Sequence, residues 1–175
     1  WNLCADFSDP DRVVVSSYTS LYFSSDGGAT FAQRYTNAGG LHLAGAFFDG
    51  DSIYVGTSAG LLRSLNGGSS FTILSTPGIA AGQSMISFAA SASGNTTRFL
   101  CTTASGADVY PGIGGGDFEI TQGLYTYTLG DASWTNRFAS LPVGSVPFWV
   151  GMAPAGGETT LAAGGKRPFL HSPGP

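Results

Sequence analysis

Asp117 and Glu119, two residues apart, are the local acid pair in this chain best suited to glycoside hydrolysis. That reaction needs one carboxylic acid to protonate the leaving oxygen and a second carboxylate across the scissile bond, about 5 to 9.5 Å away. On an extended loop the two side chains can point the same way. One short loop cannot surround a sugar ring, so the opposing acid is expected from outside this segment. Asp49-Gly50-Asp51 has the same spacing but reads as a solvated turn, as do Asp9 and Asp11.

Other reactive types are sparse. His42 has no Ser or Cys nucleophile at a recognisable spacing and no acidic neighbour in sequence, so a structural role is expected for it and for His171. Gly112 to Gly116 lacks the Lys-Ser/Thr ending of a phosphate-cradling loop. Asp108, Asp117 and Glu119 offer oxygens to a hard cation, yet no sequential calcium-loop pattern is present, and neither metal nor cofactor is expected. Cys4 and Cys101 read as small buried hydrophobes outside any metal-type spacing. Tyr18, Asp108, Tyr110 and Arg167 are the candidate binding residues, with Tyr able to stack on a sugar or anchor a protein partner. Asn95-Thr96-Thr97 is a glycosylation sequon in a Gly/Ser-rich turn.

Composition sets the frame for these residues. The 175 residues are 42% hydrophobic and only 10% charged, with 27 Gly. Soluble domains carry roughly 25% charge, so short strands joined by tight turns are expected. Net charge is -4 and the seven basic residues are dispersed, which argues against nucleic acid as a partner. No apolar run reaches the roughly 18 residues that span a bilayer. The opening Trp1-Asn2-Leu3-Cys4 lacks both Met and a signal-peptide layout, so a processed or excerpted chain is expected.

Self-similarity supplies the architecture. Ser24-Ser25-Asp26-Gly27-Gly28-Ala29-Thr30-Phe31 recurs 40 residues later as Ser64-Leu65-Asn66-Gly67-Gly68-Ser69-Ser70-Phe71. A decayed third copy runs from Tyr127 to Trp134, with Leu129 at the acidic position. The added length before it is assigned to an insertion at 104–122, which is rich in Gly and has no sustained alternation. A period near 40 with two β-rich runs ahead of each copy predicts four-stranded antiparallel units, the third and fourth strands joined at the repeated hairpin. Their approximate bounds are 1–36, 40–75, 84–138 and a truncated 146–175, together one partial β-propeller of about three and a half blades. A sandwich of antiparallel sheets would not explain the repeated hairpin.

Ser24-x-Asp26-x-Gly28-x-Thr30-Phe31, and Ser64-x-Asn66-x-Gly68-x-Ser70-Phe71 after it, resemble the Asp-box of the bacterial neuraminidase repeat. Sialidases, sortilin-type receptors, xyloglucan-cleaving propellers and photosystem assembly factors share that motif. The resemblance implies an all-β propeller in which Asp26 and Asn66 accept backbone hydrogen bonds across the turn. It also implies that Phe31, Phe71 and Trp134 pack between sheets. In such propellers the Asp-box turns lie on the face opposite the usual functional one, which sends Tyr18, Ser58 and the 104–122 insertion to the functional face. Sialidases add an arginine cluster there; Arg34 and Arg137 are the residues here that follow fourth strands.

The function expected is a secreted or cell-surface propeller segment acting as a non-catalytic binding or assembly module for a glycan or protein ligand. Further blades, from the same polypeptide or another subunit, are expected to complete it. The alternatives are part of a glycoside hydrolase whose acids are divided with other blades, and a filament or sheath subunit.

Overall fold

The computed structural model describes residues 2–106, 121–143, 145–147, 149–152, 161–164 and 169–171. They fall into two compact units, 1–75 and 76–175. Each unit holds two antiparallel meanders, in which every strand pairs with its neighbour in sequence.

In the first unit, β1 (Leu3–Ala5), β2 (Val13–Ser16), β3 (Ser20–Ser24) and β4 (Ala32–Thr36) form one sheet. β5 (Leu43–Asp49), β6 (Ser52–Thr57), β7 (Gly60–Ser64) and β8 (Thr72–Leu74) form the next. Strand β2 is an unbroken apolar run, Val13-Val14-Val15, as expected of a strand covered on both faces rather than one. Strand β4, Ala-Gln-Arg-Tyr-Thr, is largely exposed, and a short polar strand is what a sheet edge requires. Between the sheets lies one core of Val14, Leu21, Phe23, Leu41, Leu43, Ile53, Val55, Leu62 and Phe71.

Phe23 marks how closely those sheets approach. Gly68 adopts φ 89°, and a Cβ there would stand 2.6 Å from the Phe23 ring. Gly68→Ala is therefore expected to destabilise the unit by about 2–4 kcal/mol, combining left-handed backbone strain with overpacking. Gly50 is the control: its φ is 57° with nothing within 4 Å, so Gly50→Ala should cost only the strain, about 1 kcal/mol. Urea midpoints of the two variants measure the difference.

In the second unit, β9 (Gln83–Ser93), β10 (Thr96–Ser105), β11 (Gly123–Thr128) and β12 (Thr135–Asn136) form a four-stranded sheet. β13 (Trp149–Met152), β14 (Leu161–Gly164) and β15 (Phe169–His171) form a three-stranded one. Strand β10 runs to Ser105, further than the expected boundary at 104, because its pairing with β9 continues through Ser105↔Gln83 beyond an irregularity at Thr102/Thr103. Leu100, Leu124 and Val150 form the core between these two sheets, and the Val150 amide donates to Ser87 Oγ at 3.0 Å. A 3-10 turn covers Phe138–Ser140.

Candidate functional site

Each four-stranded sheet has two ends with different chemistry among the described residues. The hairpin end carries the turns between first and second strands and between third and fourth. The loop end carries the turn between second and third strands and the connection to the next sheet.

At the hairpin end the repeated octapeptides form one hydrogen-bonded frame. Ser24 Oγ accepts from the Gly28 amide (2.9 Å) and the Asp26 amide (3.2 Å) and donates to Asp26 Oδ1 (2.7 Å). Asp26 in turn accepts from the Thr30 amide at 2.9 Å and the Thr30 hydroxyl at 2.6 Å. Gly27 and Gly28, at φ 69° and 86°, supply the left-handed backbone the turn demands. Ser64 and Asn66 repeat the frame, with Asn66 Oδ1 accepting from the Ser70 amide at 3.0 Å. The last bond is reversed: Thr30 donates to the carboxylate, whereas Asn66 Nδ2 donates to Ser70 Oγ at 2.9 Å. A hydroxyl can serve either way, so Asn replaces Asp without an unpaired group.

The two turns of this end are also joined. The Gly27 amide donates to the Asp11 carbonyl at 3.0 Å and the Gly67 amide to that of Asp51 at 2.9 Å. Arg12 spans the two sheets, paired to Asp6 at 3.1 Å and donating to the Gly50 carbonyl at 2.7 Å. In the third hairpin Leu129 stands at the acidic position, and Asp131 Oδ2 instead accepts from the Thr128 amide at 3.3 Å.

Asp26 is held at a pKa of about 2, first by the Thr30 hydroxyl, then by the Thr30 amide and the Ser24 hydroxyl. A depressed folded-state value means the carboxylate's support is present above its ordinary value of 3.8 and is lost as pH falls through about 2. Carboxyl-carbon NMR is expected to show Asp26 titrating near pH 2, with the first hairpin's amides shifting in step. The Asn66 hairpin should not respond.

Asp6, Asp9, Asp11, Asp26, Asp49, Asp51 and Asp131, the described acids, all lie at hairpin ends. Asn95 is exposed at the tip of the β9–β10 turn, also a hairpin end. Of the aromatics that close the octapeptides, Phe71 and Trp134 are 7% and 3% exposed. Phe31, expected between sheets, is 42% exposed and is not part of the core between the first two sheets.

Among the described residues, the loop ends hold neutral polar groups and rings, with Arg137 after β12. Tyr18, between β2 and β3, is about half exposed, and its carbonyl accepts from the Leu41 amide at 2.6 Å. The 37–40 turn is tied by Asn37 Nδ2 donating to the Gly40 carbonyl at 2.8 Å. The His42 amide donates to Ser58 Oγ at 2.9 Å, so His42 is fixed through its backbone beside the β6–β7 turn. In the second unit Gln83 Oε1 accepts from Thr103 Oγ1 (2.8 Å) and from Tyr125 Oη (2.9 Å). This knot stands where the 104–122 insertion leaves and rejoins the sheet, the Gly106 amide donating to the Gly82 carbonyl and the Gln122 amide to that of Thr103. Sequence reasoning missed Gln83 and Thr103, which pair across strands and share no motif. It also missed Trp149, read as one residue of an apolar strand yet 56% exposed.

Asp108, Tyr110, Asp117, Glu119 and Arg167 lie outside the described residues. Cys4 and Cys101 are free thiols, and burial raises the pKa of each. Among the described residues no three His, Cys, Asp or Glu side chains gather as a metal site, and no helix is long and apolar enough to cross a membrane.

No family model matches the sequence, and no curated protein does. Solved structures do match the fold. An ancestral GH74 enzyme superposes with a TM-score of 0.66 at 13% identity, over 94% of this chain and 24% of its own. The GH74 enzyme of Niastella koreensis gives 0.59 at 19% identity, over 92% of this chain and 24% of its own.

The fold is a partial β-propeller.

The chain thus spans about a quarter of the length of the enzymes whose fold it shares. Among the described residues, three of its sheets have four strands and one has three.

Proposed function

We propose that this propeller segment belongs to a secreted or cell-surface protein and acts as a binding module, with the loop ends of its blades forming the recognition surface and a glycan as the ligand. The two octapeptide hairpins are Asp-boxes on this reading, and Asp26 and Asn66 are scaffold rather than catalysts. The observation that carries it is the division of chemistry along the blades: among the described residues the acids lie at the hairpin ends, with the carboxylates of Asp6, Asp9, Asp26 and Asp131 tied into their turns, while Tyr18, Asn37, Ser58, Gln83 and Thr103 stand at the loop ends. Rings and neutral hydrogen-bonding groups suit a sugar surface.

A second reading is supported by the likeness in fold to GH74 enzymes. In it, Asp117 or Glu119 on the insertion works with an acid from another part of a longer polypeptide as a glycoside hydrolase.

The complete polypeptide, titrated calorimetrically with xyloglucan oligosaccharides and with sialylated glycans while new reducing ends are assayed, separates these readings. Binding without cleavage, weakened about tenfold in Tyr18→Ala, is the expected result. Reducing ends that vanish in Glu119→Gln or Asp117→Asn would replace the binding reading with the hydrolase. Absence of binding to every glycan would overturn the glycan assignment and direct the search to a protein ligand.

A further inference from the structure

Asn66 is followed by Gly67, and it is the only asparagine in the sequence that precedes a glycine. That dipeptide is the one most open to ring closure, because glycine has no Cβ to crowd its own nitrogen. In the reaction the Gly67 backbone nitrogen gives up its proton and attacks Asn66 Cγ. The new N–Cγ bond closes a succinimide, the Cγ–Nδ2 bond breaks, and ammonia leaves. Water then opens the ring at either carbonyl. Addition at Cγ leaves aspartate, and addition at the backbone carbonyl leaves isoaspartate. The sum is one water taken up and one ammonia released, with no oxidant or co-reactant.

Asn66 is exposed, so water reaches it, but the closed hairpin holds every atom of the reaction in place. The Gly67 amide donates to the Asp51 carbonyl at 2.9 Å, which opposes loss of its proton. Asn66 Oδ1 accepts from the Ser64 hydroxyl at 2.9 Å and the Ser70 amide at 3.0 Å, and Nδ2 donates to Ser70 Oγ at 2.9 Å. Turning Cγ toward the Gly67 nitrogen breaks these bonds together, so attack waits on opening of the hairpin.

The first hairpin already displays the aspartate product. Asp26 stands at the equivalent position, its carboxylate accepting from Ser24, the Thr30 amide and the Thr30 hydroxyl. Ser70 can donate its hydroxyl as Thr30 does, leaving no group unpaired. The nearby acid is tolerated as well: a Cβ on Gly27 would stand 3.2 Å from Asp11 Oδ1, and one on Gly67 3.5 Å from Asp51 Oδ1. Isoaspartate instead lengthens the backbone by one carbon and carries the Gly67 amide away from the Asp51 carbonyl.

We propose that Asn66 is a deamidation site controlled by opening of its own hairpin, whose aspartate product re-forms the hydrogen-bonded frame and whose isoaspartate product does not. The proposal rests on that frame and is independent of either functional reading.

The test incubates the complete polypeptide in mildly alkaline heavy-oxygen water, folded and in guanidinium chloride, with peptide mapping that separates aspartate from isoaspartate. Conversion at Asn66 in denaturant, slower on the order of a hundredfold in the folded protein, is expected. Equal rates in the two states would overturn control by the hairpin. An Asn66 that stays intact in denaturant would overturn the site. After refolding, the Gly67 amide should regain slow hydrogen exchange in the aspartate fraction and exchange fast in the isoaspartate fraction. Slow exchange in both would overturn the distinction between the products. Asn66→Asp checks the accommodation directly: its urea midpoint and Gly67 exchange should match those of the parent chain, and a variant that exchanges fast there, or does not fold, overturns it.

Discussion

Gly78→Ala is expected to destabilise the 76–175 unit by about 3 kcal/mol, because the added methyl meets backbone rather than a side chain that can move. Gly78 has φ 92°, and a Cβ there would overlap the carbonyl oxygen of Trp134 and come within 3.0 Å of its amide nitrogen. The neighbouring Pro77 carbonyl accepts that same amide at 2.7 Å, so the 77–78 segment and Trp134 are held face to face. Relieving the overlap means breaking this bond or moving the chain around β12. Amide exchange at Trp134 is the direct readout, and 3 kcal/mol corresponds to a rise on the order of a hundredfold. Unchanged exchange would mean that the close approach is absent in solution.

Trp134→Ala carries a comparable cost for a different reason. The side chain is 3% exposed and stacks on Tyr127, with ring centroids 5.1 Å apart, beside Phe99 at 6.3 Å. Phe99 continues the stack to Phe88 at 5.9 Å. Removing the indole leaves a cavity among rings that cannot collapse independently, and about 3–5 kcal/mol of stability should be lost. Trp134→Phe keeps an aromatic plane in place and should recover most of it. Urea denaturation of both variants gives the comparison; equal loss in the two would point to the indole N–H rather than to stacking.

Trp134 also shows how far the sequence could be read. Its place in a decayed copy of the octapeptide was legible because an aromatic at the end of a Gly-containing turn is a local pattern. Gly78, which meets it, carries no such signal: the two are 56 residues apart, and only the folded chain brings them together. The strand order of every sheet was likewise legible, since alternating runs and glycine turns set it locally. Asp131 was not, because its carboxylate caps the third hairpin from a position the repeat does not mark. The same limit applies to the loop ends. Tyr18 could be singled out as an aromatic in a turn, but Gln83 gains its meaning only from Thr103 and Tyr125 on two other strands.

The amide bonds from Gly27 to Asp11 and from Gly67 to Asp51 set a rule for how such a chain can change over time. One residue added to either turn of a pair would pull donor from acceptor, so both turns of a hairpin end are locked in length together. The turns between second and third strands are tied to the neighbouring connection, Tyr18 to Leu41, Ser58 to His42 and Gly106 to Gly82, but not to the hairpin end, and it is there that 104–122 enlarges the third blade. New sequence can enter at that end without disturbing the frame, which makes each blade a mount on which recognition loops can be exchanged by evolution or by graft.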